Sequence, residues 1–119
     1  MTPRELPVRA CQCAFCRAHS ALSTSDPAGS VSIGIAAPAR VNRYRFGMKT
    51  ADFLICSDCG VFIAAVMEAD GRNYAVVNIN TFDRRDDFTA APQPMDYEGE
   101  TTTTRLARRK ERWTPATVI

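Results

Sequence analysis

The sequence predicts a single, mainly β domain with a short C-terminal helix. Three observations predict it. Two stretches, "VSIGI" at 31–35 and "VNRYRF" at 41–46, alternate side chains with the period of a half-buried strand. An apolar run at 61–67 and a run rich in β-formers at 74–80 flank an Asp-Gly turn, the signature of a hairpin. The one segment of helical character, "TRLARRKERW" at 104–113, comes near the end. At 119 residues the chain fits one domain, 1–119, with little surplus core.

Each element follows from local chemistry. Residues 20–30, "SALSTSDPAGS", are small and polar with Pro27 and Gly29, and read as a loop. In 31–35, Val31, Ile33 and Ile35 share one face. In 41–46, Tyr44 and Phe46 are expected to face inward, with Arg43 and Arg45 outward. "FLI" at 53–55 is a short strand leading into Cys56. "VFIAAVM" at 61–67 is apolar throughout, as expected of a strand buried on both faces. In 74–80, Ala75, Val77 and Ile79 form one face, and Val76, Asn78 and Asn80 the other.

Residues 83–100 hold six carboxylates against Arg84 and Arg85, with Pro92 and Pro94 between, and read as an irregular acidic surface segment. The helix that follows starts from a threonine cap within 101–104 and stops at Pro115. It carries Leu106 and Trp113 as a narrow apolar stripe. Its basic run, 105–112, is expected to be a solvated face. Four or five strands and one helix result.

Composition excludes several function classes. Fifteen Lys and Arg against thirteen Asp and Glu leave a net charge of +2, too little to imply a nucleic-acid partner. No apolar run reaches the roughly 20 residues that span a bilayer, so no membrane role is expected. "MTPRELPVRA" lacks the apolar core of a secretory signal, so the expected location is cytoplasmic. In such a reducing compartment clustered cysteines are metal ligands or catalytic thiols more often than disulfides, and an odd count of five argues the same way.

Those cysteines carry the chemistry. Cys13-x2-Cys16 and Cys56-x2-Cys59 have the spacing with which two tight turns build a tetrahedral four-sulfur zinc site. Gly60 suits the second turn because it takes positive φ without a Cβ penalty. Cys11 is the surplus. Residues two apart on an extended chain point the same way, so Cys11, Cys13 and Cys16 can face one ion. Three sulfurs leave the fourth zinc position open, the arrangement of a catalytic site. A closed structural clip and an open site both satisfy the spacing.

"CQCAFCR", then "YRFGMKTADFLICSDCG" with Cys56 forty residues after Cys16, then "AVVNINTFD", resemble the glutathione-dependent formaldehyde-activating enzyme family, which includes centromere-protein-V-like proteins. The resemblance spans roughly residues 9–113, and the closing "RLARRKERWTP" is similar to tails of bacterial members. It implies a zinc-binding β-tent fold. It also implies a carbon–sulfur lyase or synthase acting on S-hydroxymethyl adducts of glutathione or another small thiol, with an aldehyde as co-reactant. Cys11, Cys13 and Cys16 would hold a catalytic-type zinc. Cys56 and Cys59 would be half of a structural site, giving one or two ions in all.

The family completes that second site with an earlier C-x-C-G, and residues 1–10 contain no cysteine. Three arrangements follow: the five cysteines share one closed ion, the open three-sulfur site persists alone, or the coding start lies upstream.

Two further residues are candidate substrate contacts. Arg17 can pair with a carboxylate through its guanidinium fork, and Asn78 offers an amide on the face it shares with Asn80. His19 follows Cys16 by three residues, but a single histidine in a loop start is more often hydrogen-bonded than ligating, and it stays outside the ligand set. The competing function is a non-catalytic, zinc-ribbon-like binding module closed by Cys13, Cys16, Cys56 and Cys59.

Overall fold

The computed structural model describes residues 2–119. The fold is mainly β, as the alternation predicts, with one short helix late in the chain. Its spine is an antiparallel meander of β4 (Val41–Tyr44), β5 (Asp52–Cys56), β6 (Phe62–Ala69) and β7 (Arg72–Asn78). The β6–β7 hairpin turns on Asp70 and Gly71, both at positive φ (55° and 75°). That backbone is the primed two-residue turn whose twist matches paired strands, and Asp-Gly is a sequence that adopts it.

The free edge of β7 is shared. Its C-terminal end pairs with β2 (Ser23–Thr24), and its N-terminal half pairs with β9 (Thr114–Val118). From β2 the sheet continues to β1 (Arg9–Cys11) and then to β8 (Gln93–Met95), which runs parallel to β1. From β9 it continues to β3 (Val31–Ile33), also parallel. The sheet therefore forks at β7 into two wings. Pro115, which has no N–H to give, sits where β9 has only β7 beside it, since the register with β3 begins at Ala116.

Both faces of the meander are covered, which explains the unbroken apolar run in β6. Leu54, Val66 and Ala75 face one cluster with Val31, Val41 and Ala116. Ala65, Met67 and Val76 face the other with Ala51, Cys16 and Trp113. Strict alternation would put Phe62 with Val66. Instead the register slips between Leu54 and Ile55, which pair with Ala64 and Phe62, so Ile63 is an extra residue. That bulge turns Phe62 onto the Met67 face, where it is 2% exposed.

Helix α1 (Ala14–Ala18) is short, and α2 (Thr102–Arg112) lies across the Met67 face through Leu106 and Trp113. Thr101 caps α2: its Oγ1 accepts the N–H of Thr104 (3.2 Å), and Thr104 Oγ1 accepts the N–H of Thr101 (2.9 Å).

Five expectations need correction. Nine strands are present among the described residues, because β1, β2 and β8 have two or three residues each, too few for periodicity to register, and β9 lies beyond the helix. The helix does not end the fold, since β9 follows it. The strand predicted over 74–80 stops at Asn78, whose side chain accepts from the N–H of Asn80 (3.2 Å) and starts a 3-10 turn over Ile79–Thr81. The acidic segment contains β8, held by backbone bonds to β1. Tyr44 is 48% exposed, with its ring on the rim of an aromatic cluster rather than in the core.

Candidate metal centre

Cys11 ends β1, Cys13 caps α1, and Cys16 lies in the first turn of α1. The extended backbone at Cys13 (φ −64°, ψ 158°) points its side chain at the helix start, where its sulfur accepts the N–H of Cys16 (3.4 Å). Phe15 fixes the other face of α1. Its ring packs on Phe46 (5.1 Å between centroids), Phe53 (5.0 Å) and Phe62 (5.1 Å). The bulged Phe62 thus helps to set the helix that carries two of the cysteines.

The sulfurs of Cys11, Cys13 and Cys16 lie within 4.8 Å of one another, a group able to hold a metal ion. Cys16 is buried, while Cys11 and Cys13 are half-buried. A hydrogen bond from the Cys16 thiol lowers the Cys11 thiol to about 6 against the opposing effect of burial, and bonding to Cys13 adds to it. The same bond and burial push Cys16 up. Soft sulfur donors of this kind suit zinc.

Cys56 and Cys59 lie outside that cluster. They form a separate knuckle in which the N–H groups of Cys59 and Asp58 bond the Cys56 sulfur and lower its pKa. Gly60 adopts φ +75°, as its place after the pair predicts, and donates to the Cys56 carbonyl (2.8 Å). The closed clip of Cys13, Cys16, Cys56 and Cys59 is therefore not assembled. The two pairs sit on different parts of the sheet, at the end of β1 and at the end of β5. His19 bonds the Phe15 carbonyl through Nδ1 (2.9 Å) and lies outside the three-sulfur group.

The cysteine cluster opens onto a cavity of about 760 Å³. Its apolar wall includes Phe46, Phe53, Phe62 and Trp113. Its charged wall comes from α2, with Arg105, Arg108, Arg109 and Arg112, joined by Arg9 from β1. Glu100 binds Arg105 Nε (3.0 Å) and Arg108 Nε (2.6 Å), and the Arg108 guanidinium lies 3.7 Å above the Tyr97 ring. Arg109 is 7% exposed and burial lowers its pKa to about 10.

The structure thus corrects the reading of run 105–112 as solvated. The sequence did hold a signal: Arg109 falls on the helical face that joins Leu106 to Trp113. Neither predicted substrate contact lines the cavity. Arg17 is exposed on α1. The Asn78 amide is buried, donating to the Phe62 carbonyl (3.0 Å) and accepting from Leu22 and Asn80. Its work is to tie β7 to its neighbours.

No protein-family model matches the chain, and no curated protein matches it. The fold is similar to that of a Rhodobacter sphaeroides protein of known crystal structure, with a TM-score of 0.50 at 19% identity. The match covers 74% of this chain and 80% of that one. A likeness at that identity concerns the fold. No helix among the described residues is long and apolar enough to cross a membrane.

Proposed function

We propose that this chain is a zinc-dependent carbon–sulfur lyase or synthase of the glutathione-dependent formaldehyde-activating type. One observation carries the reading: three convergent sulfurs, Cys11, Cys13 and Cys16, stand on the wall of a cavity large enough for a small peptide-like thiol. Three protein sulfurs leave room for a ligand where a closed four-sulfur clip would not. The separation of Cys56 and Cys59 from the cluster favours this reading over the zinc-ribbon module.

Cys11, Cys13 and Cys16 would hold the zinc. When bound, it supplies positive charge that keeps an incoming thiol in its nucleophilic thiolate form and polarises a carbonyl. The chain's own residues do the rest. Phe46, Phe53 and Phe62 exclude water from one side, and the α2 arginines draw an anionic thiol to the other. The reaction joins the thiol sulfur to the aldehyde carbon, and the thiol proton ends on the new hydroxyl. The reverse step releases both partners. The setting proposed is the cytoplasm, where thiols stay reduced.

Metal analysis of wild type beside Cys11→Ser tests the site. Wild type should carry zinc in the cluster, with an X-ray absorption edge spectrum that changes when glutathione is added. Cys11→Ser should lose most of that zinc and the adduct-exchange signal between glutathione and formaldehyde seen by NMR. Four protein sulfurs around zinc, unchanged by added thiol, would sink the enzymatic reading in favour of a structural clip.

A further inference from the structure

We propose that Arg109 is a carboxylate-binding residue of the cavity, so that the thiol substrate class is restricted to thiols bearing a carboxylate. This rests on the open-site reading for the thiol end, but the anion end stands on its own observations. The Arg109 side chain lines the same cavity as the three cysteines and is 7% exposed. A guanidinium taken this far from water needs a partner, because burying an unpaired charge is costly.

The chain supplies little. Nη1 donates to Thr50 Oγ1 (2.7 Å), and the group lies 4.7 Å from the Trp113 ring centroid. Nε is buried with no hydrogen-bond partner, the one such side-chain atom among the described residues. Among the described residues, no carboxylate forms an ion pair with Arg109. Glu100, the carboxylate that faces α2 from the preceding segment, is taken by Arg105 and Arg108.

Five arginines line the cavity against three carboxylates, Asp96, Glu98 and Glu111, with Glu100 paired to Arg105 and Arg108, and the positive charge left over favours an anion. A guanidinium fork with free donors matches the two oxygens of a carboxylate. Thr50 and Trp113 hold the fork in place, which lowers the ordering cost of binding.

The test uses three small probes on the full chain: 3-mercaptopropionate, the neutral 2-mercaptoethanol, and propionate, which has no thiol. Binding of the two thiols is followed on cobalt-loaded protein through the sulfur-to-cobalt band, and propionate is followed by thermal shift on metal-free protein. Wild type should bind 3-mercaptopropionate at least about tenfold more tightly than 2-mercaptoethanol, as a paired carboxylate implies, and propionate should raise its melting temperature.

Arg109→Gln should abolish both the preference and the propionate shift while keeping its affinity for 2-mercaptoethanol. Its fold is checked by circular dichroism. If it does not fold, Arg109→Lys and the wild-type comparison carry the test. Equal affinity of wild type for the two thiols, or an Arg109→Gln protein that keeps the preference, overturns the proposal. Propionate stabilisation with no thiol binding at cobalt supports Arg109 and removes the thiol reading. Thiol binding without preference or propionate shift does the reverse.

Discussion

Glu100 takes hydrogen bonds from two arginines of α2 through both of its oxygens, and its side chain is 17% exposed. The bond from Arg108 holds its carboxyl below the ordinary value of 4.5, with Arg105 adding to the effect. A depressed folded value means that the stabilisation is complete above the unfolded value and is lost as pH falls through the folded one. Glu100→Gln should therefore cost about 1–2 kcal/mol at pH 7 and flatten the loss of stability below pH 4.5. Urea denaturation at pH 7 and in the acid range checks both. An unchanged midpoint at pH 7 would mean that the three side chains do not act as a unit. At this scale the cysteines were legible as sulfur donors from their short spacings, which left open whether the set closes on Cys56 and Cys59. Arg109 was not, because a basic residue in a basic run looks solvated until the element opposite is known.

Among elements, the bulge in β6 bears on the site through Phe62. It moves Phe62 to the face where Phe15 packs, and Phe15 holds α1 between Cys13 and Cys16. Phe62→Ala should cost about 3–4 kcal/mol, as large-to-small core changes do, and loosen metal binding as well. Chemical denaturation and a zinc titration measure the two effects. A loss of stability without weaker zinc binding would separate α1 from the sheet's influence. The cap on α2 is a smaller device. Thr101→Ala should cost about 1 kcal/mol, read from the thermal midpoint. The hairpin, the cap and the buried strand were legible because each is specified within a few residues. The bulge and the short strands β1, β2 and β8 were not, since they exist only where a partner strand meets them.

At the level of the whole molecule, two cysteine groups occupy separate places on one forked sheet. Cys56→Ser should then leave the cobalt–thiolate band of the Cys11 cluster at wild-type intensity, and Cys16→Ser should abolish it. A band that falls with Cys56→Ser would mean that the two groups share an ion in solution. The cavity depends on this large-scale arrangement, since β1 and α1 bring the sulfurs and α2, some 90 residues later, brings the arginines.

The sequence by itself determined the mainly β character, the late helix with its cap, and the sulfur donors, because these depend on periodicity, turn chemistry and short spacings. Only the tertiary structure decided that Cys56 and Cys59 stand apart, that Asn78 serves the sheet, and that Arg109 is buried beside the cluster. Those outcomes depend on contacts between distant segments, and local pattern carries no information about which distant surfaces meet.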